Sequence, residues 1–142
     1  MDMVRATVTK FTLLTLTLFF ATLAFAQKVE TVGKSWLAEQ TAPAELNING
    51  AWQSKEWGTL VLVQHEGSRD ITGTGASYNL LGVVSGKQVF LLFCIRGRVD
   101  YSAQLSSEDK NSLTGQYTAG MMNARHIGPR GRLRTMHMVK SN

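Results

Sequence analysis

The stretch Gln88–Leu105, QVFLLFCIRGRVDYSAQL, decides the fold. Its first half, Gln88–Arg96, is apolar on both sides: Val89, Leu91, Phe93 and Ile95 fall on one face, and Phe90, Leu92 and Cys94 on the other. Gly97 breaks the run. Arg98–Leu105 then alternates, with Val99, Tyr101, Ala103 and Leu105 on one side and Asp100, Ser102 and Gln104 on the other. Period-two alternation marks a strand with one wet face, and two β-prone runs across a glycine break read as a hairpin.

The same grammar extends in both directions. Gly50–Ser54, Trp57–His65, Arg69–Ala76 and Leu80–Ser85 precede the hairpin, and Ser112–Ala119 and Arg132–Lys140 follow it. Turn clusters separate them: Glu66-Gly67-Ser68, Ser77-Tyr78-Asn79, Ser85-Gly86-Lys87 and the polar Ser107–Lys110. Connections this short leave no room for helical crossovers, so neighbouring strands are antiparallel. About eight such strands form either a two-sheet sandwich or a barrel, and closing the barrel removes both exposed edges. Gly73, Gly82 and Gly115 lie inside strands, where glycine marks a bend or a close backbone approach. Three of them point to an all-β, antiparallel, up-and-down barrel over residues 49–142.

Ahead of it stand two other segments. Residues 1–26 have basic Arg5 and Lys10, an apolar run from Phe11 to Phe25 and the small-x-small sequence Ala24-Phe25-Ala26. The run is shorter than the roughly 20 residues of a membrane span, so it reads as a signal peptide cleaved after Ala26 rather than a retained anchor. The expected location is therefore periplasmic or secreted, with no integral membrane segment after cleavage. Residues 27–48 read as a mobile leader with a short helix near Ser35–Gln40. The doubly apolar strand Gln88–Arg96 needs cover on its outer face. A second copy of the chain is the favoured cover, and the leader is the other.

Charge and chemistry exclude more than they assign. The 142 residues carry a formal net charge of +5. Residues 110–142 hold six bases (Lys110, Arg125, Arg130, Arg132, Arg134, Lys140) and no acid. A basic end suits an anionic envelope surface. Nucleic acid is not expected for an exported chain whose basic segment, residues 118–142, has no aromatic for base stacking. One cysteine, Cys94, excludes an intrachain disulfide and reads as a buried small hydrophobe rather than a nucleophile. Gly73-Thr74-Gly75 and Gly82–Gln88 lack the completing residues of nucleotide loops, and His65, His126 and His137 are scattered. No catalytic residue, metal site or cofactor is expected.

Gly50-Ala51-Trp52 just before the first long strand, with Ile71-Thr72-Gly73-Thr74 and Leu113-Thr114-Gly115-Gln116-Tyr117, resembles the calycin group, that is, lipocalins and avidins. The resemblance implies a tryptophan closing one barrel end, with a basic residue of the last strand, Arg132 or Arg134, laid across it. It departs where avidins hold biotin. Gly75 stands where an aromatic follows Thr-Gly-Thr, and no tryptophan follows Trp57, so biotin affinity is expected to be absent or slight. The reading from sequence is non-covalent binding of a small apolar or amphipathic molecule in the lumen. Trp52 and Trp57 are expected near its mouth, with Tyr101 and Tyr117 on its wall. The alternative is an envelope interaction or structural module with a filled barrel, acting through its basic C-terminal end or its apolar strand.

Overall fold

The structure, a computed structural model, describes residues 30–122 and 132–142. The signal-peptide expectation for residues 1–26 and the histidine at 126 lie outside the described residues. A helix, α1 (Thr31–Ala38), precedes eight strands: β1 (Gly50–Ser54), β2 (Gly58–Gln64), β3 (Asp70–Gly75), β4 (Tyr78–Ser85), β5 (Gln88–Ile95), β6 (Arg98–Asp109), β7 (Ser112–Ala119) and β8 (Arg134–Lys140). Each strand pairs antiparallel with the next. The sheet closes because β1 also pairs with β8, through Trp52↔Lys140, Gln53↔Val139 and Ser54↔Met138.

The mid-strand glycines allow this coiling. A Cβ on Gly115 would lie 2.7 Å from Leu105 Cα and overlap the Gln104 carbonyl oxygen. One on Gly82 would lie 2.8 Å from Leu91 Cδ2 and overlap the Phe90 carbonyl oxygen, and Gly73 meets the Val61 carbonyl in the same way. Neighbouring strands approach more closely at these points than any side chain permits.

The barrel interior is a packed core. Leu60, Leu62, Ile71, Leu80, Val84, Val89, Leu91, Phe93, Leu105, Leu113, Met136 and Met138 fill it, all at 3% exposure or less. An eight-stranded barrel is just wide enough for its own side chains, and here they occupy it.

The outer face of β5 is covered from within the chain. On α1, Gly33, Trp36 and Leu37 are buried, the i, i+3, i+4 spacing of one helix face. Trp36 meets Phe90 edge-on at 5.4 Å, and with Leu37 it packs on Val83, Leu92, Cys94 and Val99. An eight-residue helix is unstable alone, so this packing holds it. Thus the leader lies on the outer face of the apolar strand and covers it. The helix starts at Thr31, four residues before the expected Ser35, and includes the buried Gly33.

Two irregularities correct the expected strand faces. At Phe93/Cys94 the β5–β6 register shifts, so Cys94 pairs with Val99 and Phe93 with Tyr101. Asp100 is the extra residue, and a bulge of this kind reverses side-chain parity. Val99 therefore joins the outer cluster instead of facing inward with Tyr101. The polar Ser107–Lys110 is not a turn. β6 continues through it to Asp109 with a second register shift, and the chain reverses at Lys110–Asn111.

Candidate functional site

The two barrel ends are built differently. One is sealed by the segment that leads into β1. Ile48 is buried there with Ala44 and Leu46 packed beside it. Gln64 staples the segment in place: its Oε1 accepts from Ile48 N–H at 2.9 Å, and its Nε2 donates to the Leu46 and Ser68 carbonyls at 3.0 Å each. The leader is therefore packed over residues 30–48 rather than loose. Trp52 belongs to this seal. It is 1% exposed, and its Nε1–H donates to the Ile48 carbonyl at 2.9 Å.

The cation over the Trp52 ring is Lys140, whose Nζ stands 5.9 Å from the centroid. It takes the part expected of Arg132 or Arg134. The reason is strand direction. β8 pairs Lys140 with Trp52 at its end, whereas Arg134 pairs with Tyr117 at its start. Six residues of strand span about 20 Å, so both arginines lie at the opposite end.

That opposite end is the candidate site. Trp57 comes off the β1–β2 turn and folds into the mouth. Its ring stacks on Phe93 with centroids 4.4 Å apart and an interplanar angle of 26°. Tyr101, Tyr117 and Tyr78 meet it edge-on at 4.9, 5.4 and 5.8 Å. Edge-to-face geometry sets positive ring edges against negative faces and stabilises such clusters by about 0.5–1.5 kcal/mol per pair beyond burial. Burial, and then the neighbouring Tyr101 and Asp100, push the Tyr78 phenol above its usual pKa.

Trp52 and Trp57 therefore sit at opposite ends, not together at one mouth. Trp57, Tyr101 and Tyr117 are brought together, and Arg132 and Arg134 join the tyrosines. Arg132, Arg134, Tyr101, Tyr117 and Thr118 line a small cavity of about 80 Å³. Sequence reading missed Tyr78 and Phe93. Tyr78 reads as part of a turn in the sequence, although it opens β4 and shares a face with Leu80, Gly82 and Val84, and the apolar run around Phe93 hides it.

Among the described residues, two buried side-chain polar atoms have no hydrogen-bond partner: Trp57 Nε1 and Thr118 Oγ1. Trp57 belongs to this mouth cluster and Thr118 to the cavity beside it. Leaving such a group unpaired costs about 1–3 kcal/mol. Beyond its four ring contacts, Trp57 has few anchors. It is half-buried, flanked by exposed Lys55, Glu56 and Gly58, with Gly58 in the left-handed region at φ +69° and open space around it. Its backbone N–H donates to Ser54 Oγ at 3.3 Å.

Cys94 is buried under α1, and desolvation first, then Glu30 and Asp100, push its thiol up to about 11. His137 faces outward and hydrogen-bonds Thr114 Oγ1 at 2.7 Å. Among the described residues no helix is long and apolar enough to cross a membrane, and no group of three or more metal-ligating side chains gathers. Comparison with protein-family models, with curated proteins and with solved structures returned no match.

Proposed function

We propose that the chain is an exported, non-enzymatic barrel of calycin-like form that binds a small apolar or amphipathic molecule at its aromatic mouth, in place of the Trp57 indole. The observation that carries this reading is the unpaired Trp57 N–H buried among Phe93 and three tyrosines. Swinging out on its turn hydrates that N–H and frees a ring-sized space floored by Phe93. A flat ligand then recovers the lost stacking contact for contact. The exchange costs little, and the ligand's own burial, about 25 cal/mol per Å² of apolar area, drives it. The filled interior moves the expected site from the lumen to the mouth. Gly50-Ala51-Trp52 on the first strand and Trp52 at the sealed end support the calycin-like form.

A second reading has one observation in its favour. A lumen packed with the chain's own side chains suits an envelope interaction or structural module, acting through the basic end that carries Arg132 and Arg134. Calorimetric and tryptophan-fluorescence titration with 2-naphthol and 2-naphthoate separates the two. Mouth binding gives saturable heat and an emission change with a Kd tighter than about 1 mM, near −4 kcal/mol. In Trp57→Phe the heat persists and the emission change disappears. No heat and no emission change with either probe contradicts mouth binding and leaves the interaction module.

A further inference from the structure

Resting on the mouth-binding reading, we infer that the molecule taken there is an aromatic or similarly flat acid, its ring on Phe93 and its carboxylate held by Arg132 and Arg134. The charge at this end has an unusual balance. Lys55, Arg96, Arg98, Arg132 and Arg134 are its described bases, and Glu30, Glu56 and Asp100 its described acids. Every one of those acids is already engaged. Asp100 pairs with Arg98 at 2.8 Å, Glu56 accepts from Ser54 Oγ at 3.0 Å, and Glu30 accepts from Val99 N–H at 3.3 Å.

The Arg98–Asp100 pair is the single ion pair among the described residues, so Arg132 and Arg134 have no carboxylate partner there. Their own stretch of chain supplies none, because no Asp or Glu follows Asp109 in the sequence. Arg134 shares a strand face with Met136 and Met138, which point into the core. That face brings its guanidinium to the barrel rim, beside the tyrosines rather than out on the wall.

The polar side-chain groups of the inward-facing and rim residues around the cavity are donors or hydroxyls: two guanidiniums and the Tyr101 and Tyr117 phenols. A guanidinium presents paired N–H donors at the spacing of a carboxylate's two oxygens. A neutral head with a single acceptor oxygen would match these donors less fully and without charge assistance, and a cationic head would be repelled. A flat acid matches both parts, its ring on the aromatic floor and its oxygens on the arginines.

The test compares 2-naphthoate with its neutral isostere 2-naphthamide by calorimetry on the full chain, at low and high sodium chloride. The expected result is at least about tenfold tighter binding of naphthoate, equivalent to about 1.4 kcal/mol, with the margin shrinking as salt screens the pair. In Arg132→Gln/Arg134→Gln the preference for naphthoate is lost, and the ratio of the two affinities falls to about one. Both arginines are exposed, so the double variant keeps the fold.

Equal affinity of the two probes for the unaltered chain overturns this inference and leaves mouth binding standing. Absence of binding by either probe removes both. Arginine-dependent binding to vesicles of anionic lipid, with no preference for naphthoate, also overturns it, because the arginines then serve a surface.

Discussion

Replacing Gly115 by alanine probes the closeness of β6 and β7 with a single methyl group. The added Cβ would lie 2.7 Å from Leu105 Cα and 2.9 Å from the Gln104 carbonyl carbon, and it would overlap the Gln104 oxygen. Ordinary Cβ contacts begin near 3.4 Å. The β6 backbone must therefore move by roughly 1 Å, and the obstacle is main chain rather than a flexible side-chain tip. Overpacking of this kind costs about 1–3 kcal/mol. Alanine returns about 0.4–1 kcal/mol by restricting the unfolded chain. A net loss of about 1.3 kcal/mol follows. In urea, with a slope of about 1.5 kcal/mol per molar, the midpoint falls by about 0.9 M. The control is Gln116→Ala, one residue on and exposed, which should stay within about 0.5 kcal/mol. A Gly115→Ala midpoint no lower than that of the control would refute the close approach and the coiling that depends on it.

Four other outcomes follow from named contacts. Trp52→Ala should cost about 3–5 kcal/mol in urea unfolding. Trp52→Phe should cost about 1–2 kcal/mol more than Trp57→Phe, because only the first leaves the Ile48 carbonyl unpaired. The Cys94 thiol should resist a disulfide reagent at pH 8, and Trp36→Ala should expose it and raise its labelling rate at least about tenfold; equal rates would remove α1 as its cover. The Cys94 pKa is raised on folding, so the unfolded chain loses that proton first. Its contribution to stability is whole below about pH 9 and is lost as pH rises towards 11. A Cys94→Ala variant should lack that decline in urea midpoints between pH 9 and 11, and an identical decline in both proteins would contradict the assignment.

Most of the barrel was legible because strands and turns write themselves locally. Ser112–Ala119 was bounded by its own polar neighbours, and the three interior glycines named the points of close approach. What escaped was parity and direction. A bulge such as that at Asp100 leaves the alternating pattern of Val99, Tyr101 and Ala103 intact in sequence while turning Val99 outward. Trp52 and Trp57 are five residues apart, and the turn between them did not reveal that one seals the barrel and the other fills its mouth. The sequence of the last strand does not show which of its ends meets the first, so Arg132 and Arg134 look as available to Trp52 as Lys140 is. The doubly apolar β5 demanded a cover. Nothing local to it identified α1, which covers it through Trp36 and Leu37.

The three tryptophans report from three separate places: Trp36 on the buried face of α1, Trp52 in the sealed end and Trp57 in the mouth. Nitrogen-labelled indole resonances, followed while 2-naphthoate is added, therefore test mouth binding most directly. The expected result is a saturable shift of the Trp57 N–H with faster exchange against solvent, and unmoved Trp36 and Trp52 signals. A Trp57 signal that stays fixed while naphthoate binds, or a shift confined to Trp36 or Trp52, would contradict it.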